Sequence, residues 1–261
     1  MSRRRRKKKP RNRPRKGIYL LPNLLTTASL FCGFYALIAA TQDHFSEAAV
    51  AIFIALILDG LDGKVARLTH TTSHFGKEYD SLADLMAFGA APAFLIYKWS
   101  LTDFGRLGWV AAFLFVVCGA LRLARFNVQT GSRDPRYFYG LPIPAAAAVV
   151  AGTVLGVEHF RLGSESAGAI SLILLYLLSY LMVSNLPYRS FKEIDLRRVR
   201  SFNYLVGLVL IFSIIAYKPI HMALILLLAY LVSGPLVALR RLSRPKRPAE
   251  EEQPEEAKEV T

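Results

Sequence analysis

Apolar residues run along this chain in long blocks separated by short polar breaks. Eight blocks have the length and apolarity of membrane-crossing helices, near 18–40, 46–68, 78–99, 107–127, 141–157, 167–186, 202–217 and 219–239. The fifth and seventh are short, and only Tyr217, Lys218 and Pro219 separate the last two, so a merged pair stays open. The connections are also short, which favours antiparallel neighbours. The pattern predicts an all-α fold, a polytopic membrane helix bundle of about eight transmembrane helices. One membrane domain is expected over 18–240, between a basic tail at 1–17 and a charged, disordered tail at 241–261. No repeat of 20–50 residues is evident.

Prolines and small residues refine this picture. Pro22, Pro92, Pro142 and Pro144 fall in or at the start of predicted helices, where neighbouring helices can satisfy the freed backbone groups. Gly89 to Pro92 and Ala145 to Ala148 would let helices approach closely. The first apolar block, about 23 residues, exceeds the 7–15-residue core of a secretory signal and lacks an obvious cleavage site, so it is expected to be retained.

Composition and charge then set orientation. Hydrophobic residues make up 53% of the chain, and mean hydropathy is +0.33. The net charge of +14 is unevenly placed, with eleven Lys and Arg and no acid in residues 1–16. An even helix count puts both termini on one side, together with the connections near 68–78, 128–140 and 187–201 and the basic run 240–247. The other side holds only Lys98, Arg106, Arg161 and Lys218. The positive-inside rule makes the first side cytoplasmic, in a cytoplasmic membrane. A basic tail beside a membrane helix sets topology and meets anionic lipid at about 1 kcal/mol per residue, so membrane lipid, and no nucleic acid, is the expected partner of that charge. Cys32 and Cys118 lie inside apolar blocks and read as small packing residues.

Candidate chemistry is concentrated in 58–89, where Asp59, Asp62, Asp80 and Asp84 interrupt apolar surroundings. An ionised carboxylate near the bilayer centre costs roughly 2.5–3.5 kcal/mol. Four at that depth would cost on the order of 10 kcal/mol unless something compensates them. Asp59 and Asp62 are spaced i, i+3, with Ala66 on the same face; Asp80 and Asp84 are spaced i, i+4. Gly76 and the preceding polar segment let the chain reverse, so two antiparallel helix ends can aim four carboxylates at one volume. Oxygen ligands suit Mg²⁺ or Mn²⁺. Zinc is not favoured, because His70 and His74 are expected in a polar loop. Gly63, Ala66 and Gly76 leave room beside the acids, and Arg67 offers a permanently charged fork for phosphate. Four acids against one nearby Arg argue against a network that serves packing alone.

The spacing Asp59-x2-Asp62-Gly63-x2-Ala66-Arg67-x8-Gly76-x3-Asp80-x3-Asp84 resembles the signature of the CDP-alcohol phosphotransferases at all eight positions. PNLLTTASLFCGFYAL (22–37), RLARFN (122–127), YGLPIPAAA (139–147) and MVSNLPYRSFK (182–192) look like its phosphatidylserine synthase branch. The resemblance implies an enzyme that moves a phosphatidyl group from CDP-diacylglycerol to L-serine and releases CMP. It implies two divalent cations, Mg²⁺ or Mn²⁺, one on Asp59, Asp62 and Asp80 and one on Asp59, Asp80 and Asp84. Asp84 would be the general base. Asn23, Gly63, Ala66, Arg67, Ser73 and Gly76 would contact the CDP part. The resemblance also implies a homodimer.

Serine carries a carboxylate, and Arg122, Arg125 and Arg189, near helix ends on the cytoplasmic side, are candidates to meet it or the donor phosphate. Two other readings stay open at this point. Another transferase of the family would use glycerol phosphate or inositol phosphate. An ion transporter would use the acids as a permeation site, though no inverted repeat supports one.

Overall fold

The computed structural model describes residues 20–69, 73–129, 137–160, 164–189 and Ala229. The helices α1 (Leu20–Thr41), α2 (Phe45–Leu68), α3 (His74–Asp84), α4 (Ala91–Ile96), α5 (Arg106–Gln129), α6 (Ile143–Phe160) and α7 (Ser164–Val183) carry the architecture. Two three-residue strands, β1 (Tyr137–Tyr139) and β2 (Pro187–Arg189), pair antiparallel and tie the connection after α5 to the end of α7. The blocks expected at 202–217 and 219–239 lie outside the described residues, apart from Ala229.

The expected helix at 78–99 departs most from the structure. It starts four residues earlier, at His74, so His74 belongs to a helix rather than to the loop expected for it. It is also broken into α3, a π-helical segment (Leu85–Ala90), α4, a second π segment (Tyr97–Leu101) and a 3₁₀ turn (Thr102–Phe104). Pro92 supplies the physical reason. It has no N–H to donate, and its ring crowds the carbonyl four residues back, so the helix widens before it. The other boundaries differ from expectation by a few residues at each end, as fraying ends do.

α1 and α2 form an antiparallel hairpin joined by Gln42, Asp43 and His44. Asp43 takes φ 61°, a left-handed conformation that Asp tolerates, and the His44 N–H closes on the Ala39 carbonyl at 2.9 Å. α1 also packs on α3, the first π segment and α4; α2 rests on α6, and α5 on α7.

Small residues fill part of the bundle's centre, with Ala36, Ala40, Ala48, Ala55, Ala87 and Ala91 fully buried beside larger side chains such as Phe88, Phe115, Leu95 and Ile143. Other large residues face outward, among them Phe31, Ile57, Phe113 and Ile173. Buried alanines that let helices approach closely, with bulky apolar residues also facing outward, suit a bundle solvated by lipid. Leu21–Thr41 and Arg106–Val128 are each long and apolar enough to cross a membrane, and Ile143–His159 and Ala167–Val183 are shorter apolar helices. Lys98 pairs with Asp43 at 3.8 Å, and Trp99 Nε1 donates to Glu158 at 2.9 Å. These contacts gather the α1–α2 turn and the end of α6 at one end of the bundle. The aspartates are at the other.

Candidate active site

The last turns of α2 and the first turns of α3 meet beside the start of α1. Asp59, Asp62 and Asp80 each offer an oxygen, and the three atoms lie within 4.8 Å of one another. Asp84 adjoins the group, its carboxyl facing that of Asp59. Asp59 and Asp84 stand one helical turn further into the bundle than Asp62 and Asp80, because α2 ends and α3 begins on the same side. All four acids are at least half-buried.

A cavity of about 510 Å³ opens next to them. Asn23 and Thr26 from α1, Gly63, Ala66 and Arg67 from α2, and Ser73, Gly76 and Lys77 around the start of α3 line it, together with Asp62 and Asp80. The structure thus brings every sequence-predicted nucleotide contact to one volume beside the carboxylates.

The glycines play different parts. A Cβ on Gly63 would meet nothing within 4 Å, so hydrogen in place of a side chain leaves open cavity there. A Cβ on Gly76 would stand 3.0 Å from Ser73 Oγ and 3.3 Å from Asn23 Oδ1, so Gly76 also lets α3 close on α1. Ser73 is the N-cap of α3. Its backbone is extended, with φ −122° and ψ 156°, and its hydroxyl accepts the Gly76 N–H at 2.9 Å.

Neighbouring contacts set the acids. The Thr26 hydroxyl lies 2.7 Å from Asp62 Oδ2 and donates to it. Thr27 Oγ1 and Tyr79 Oη are 2.9 Å apart, which ties α1 to the residue before Asp80. Asn127 donates to Ser81 Oγ at 2.9 Å, tying the end of α5 to the residue after it.

These residues fit a divalent cation. Three carboxylate oxygens converge, and Asp80 Oδ1 is buried without a hydrogen-bond partner among the described residues. A buried carboxylate oxygen with neither donor nor ion is costly. An all-oxygen set suits Mg²⁺ or Mn²⁺ better than softer metals.

The three candidate arginines fare unequally. Arg122 and Arg125 are half-buried on the last turns of α5. Arg125 donates to the Val183 carbonyl and to Asn185 Oδ1, latching α5 to the end of α7. Arg189 is the last residue of β2, and its side chain lies outside those described.

Thr26, His74 and Lys77 line the cavity without having been singled out as site residues in the sequence. Spacing could have found two of them. Thr26 is i+3 from Asn23, and Lys77 is i−3 from Asp80, so each shares a helix face with a residue already chosen. His74 was hidden by the expected start of its helix.

Fold and site together define a helical membrane protein with a carboxylate-rich, cation-ready cavity at one end of its bundle. The chain belongs to the CDP-alcohol phosphatidyltransferase family, whose model matches residues 19–233. It is 44% identical over 220 residues to the CDP-diacylglycerol–serine O-phosphatidyltransferase of Helicobacter pylori (strain ATCC 700392 / 26695), a match that covers 83% of this chain and 90% of that protein. The protein of the same name from Methanocaldococcus jannaschii is 33% identical over 85% of this chain and 96% of its own length. An archaetidylserine synthase of Methanothermobacter thermautotrophicus is 37% identical over 64% of this chain and 69% of its own length.

Proposed function

We propose that this chain transfers the phosphatidyl group of CDP-diacylglycerol to the hydroxyl of L-serine, giving phosphatidylserine and CMP. The convergence of Asp59, Asp62 and Asp80 beside a cavity with Arg67 and Lys77 on its wall carries the reaction class. The serine-named relatives, similar over most of their length, support the acceptor.

In this reading Asp59, Asp62 and Asp80 hold one cation, and Asp59, Asp80 and Asp84 a second. When bound, Mg²⁺ or Mn²⁺ neutralises charge on the diphosphate and on the departing CMP. Arg67 and Lys77 donate to phosphate oxygens. Gly63 and Ala66 let the nucleotide approach the α2 backbone, and Asn23, Ser73 and Gly76 close the facing wall. Asp84 receives the proton of the serine hydroxyl as its oxygen bonds to the lipid-side phosphorus and the bond from that phosphorus to the CMP oxygen breaks. Proton transfer to a positioned side chain contributes roughly 10²–10⁴-fold, which is what Asp84 is asked to supply. Holding the hydroxyl and phosphorus in line supplies much of the rest.

The proposed catalytic unit is 18–240, a bundle of about eight membrane helices, and the family match at 19–233 supports that span. Charge placement supports a cytoplasmic-membrane protein with both termini and the active site toward the cytoplasm, where serine and CMP exchange with water while the acyl chains stay in lipid. The outward apolar face supports lipid contact, and a second copy covering part of it would form the homodimer that the family resemblance implies. Arg122, Arg125 and Arg189 are the proposed set from which the serine carboxylate or donor phosphate finds a cation.

CMP release from CDP-diacylglycerol by the purified, detergent-solubilised chain tests the reading. Release should require both serine and Mg²⁺ or Mn²⁺. Release with glycerol 3-phosphate but not with serine would overturn the acceptor, and no release with either would overturn the reaction.

A further inference from the structure

We infer that Thr26 is a positioning residue for the Asp62 carboxylate, orienting it toward the cation site through a buried hydrogen bond between α1 and α2. This inference rests on the reading that the carboxylates hold a divalent cation.

Thr26 and Asp62 are each only 5% exposed, and 36 residues separate them in the chain. Thr26 Oγ1 has two acceptors in reach, the Pro22 carbonyl at 3.1 Å and Asp62 Oδ2 at 2.7 Å. A hydroxyl carries one proton, and the shorter contact to the more highly charged acceptor takes the larger share of it. The Pro22 contact is the usual back-bond of a helical Thr, and it holds the side chain in the rotamer that faces α2. The carboxylate is therefore fixed at one oxygen by a donor from another helix. An oxygen of that carboxylate lies within 4.8 Å of oxygens of Asp59 and Asp80.

The next residue reinforces this placement. Thr27 Oγ1 meets Tyr79 Oη at 2.9 Å, immediately before Asp80. One step of α1 thus touches both helices that carry the acids, and it sets the distance between Asp62 and Asp80. Groups that orient a metal-binding carboxylate typically change metal affinity by about 10–100-fold when removed.

The test is Mn²⁺ binding to the purified full chain, followed by electron paramagnetic resonance, with thermal unfolding in EDTA recorded for each variant. T26V keeps the shape and loses the donor, T26S keeps the donor, and T26A is read beside T26V so that either can stand if the other fails to fold. The expected result is Mn²⁺ binding about 10–100-fold weaker in T26V or T26A and near wild-type in T26S, with metal-free unfolding also lowered in T26V and T26A because the buried Asp62 oxygen loses its donor. Unchanged Mn²⁺ affinity in T26V and T26A, whatever their stability, would overturn the inference. So would T26S binding as weakly as T26V. Wild-type chain that binds no Mn²⁺ would overturn the metal reading itself, and the positioning role with it.

Discussion

Gly33 on α1 packs so tightly against Ala87 that a Cβ added to it would stand 2.6 Å from the Ala87 Cα. Ala87 lies in the π-helical segment that begins directly after Asp84. Packing near the middle of the bundle is therefore coupled to the placement of an acid at its end.

Gly33→Ala should push the π segment away from α1. Overpacking of this kind typically costs about 1–3 kcal/mol. Lower thermal stability in detergent, together with a fall in the rate of CMP release, is the expected pair of changes. An alanine variant with wild-type stability would show that the two helices can separate freely.

Gly63→Ala and Gly76→Ala should diverge. The methyl at 63 enters open cavity, so that variant should fold normally and bind the CDP-lipid more weakly, seen as a raised KM. The methyl at 76 meets Ser73 Oγ and Asn23 Oδ1 at 3.0 and 3.3 Å, so it should also lower stability. Steady-state kinetics and unfolding measured on both variants separate the two roles.

Asp80→Asn and Asp84→Asn should reduce CMP release by about 10²-fold or more while leaving the helical signal intact. EDTA should abolish release in the wild-type chain, and added Mg²⁺ or Mn²⁺ should restore it. Retained activity in both variants would defeat the proposed roles of these acids.

Ser73→Ala removes the N-cap of α3 and should cost about 1 kcal/mol of stability. Ser73→Asp retains a capping oxygen and should keep most of that stability. If Ser73 also meets the nucleotide, the Asp variant will still show a raised KM for the CDP-lipid, because its charge faces phosphate.

Arg122→Gln, Arg125→Gln and Arg189→Gln, measured one at a time, should include at least one variant whose KM for serine rises about tenfold while the KM for CDP-diacylglycerol holds, the loss of about 1.4 kcal/mol expected for a charge-assisted contact. Arg125→Gln is expected to lower stability instead, since its guanidinium latches α5 to Val183 and Asn185. No change in the KM for serine or for CDP-diacylglycerol in any of the three would remove the set.

Much of the membrane architecture is local information. Apolar blocks show where α1, α2, α5, α6 and α7 lie to within a few residues, because membrane-spanning length and apolarity are properties of contiguous sequence. The break of the third block into α3, α4 and π segments was not legible. Pro92 signals a disturbance, but the neighbouring helices decide whether the chain kinks, widens or ends there.

For the site, i, i+3 and i, i+4 spacing by itself determined that Asp59 and Asp62 share one helix face and Asp80 and Asp84 another, since helix periodicity is a local property. The tertiary structure decided the rest. It brought Asp80 to the Asp59–Asp62 pair, turned Gly76 against Asn23, drew Lys77 and His74 to the cavity wall and set Thr26 against Asp62. Those relationships join residues from different helices, and the packing of α1 between them, rather than any spacing along the chain, fixes their distances.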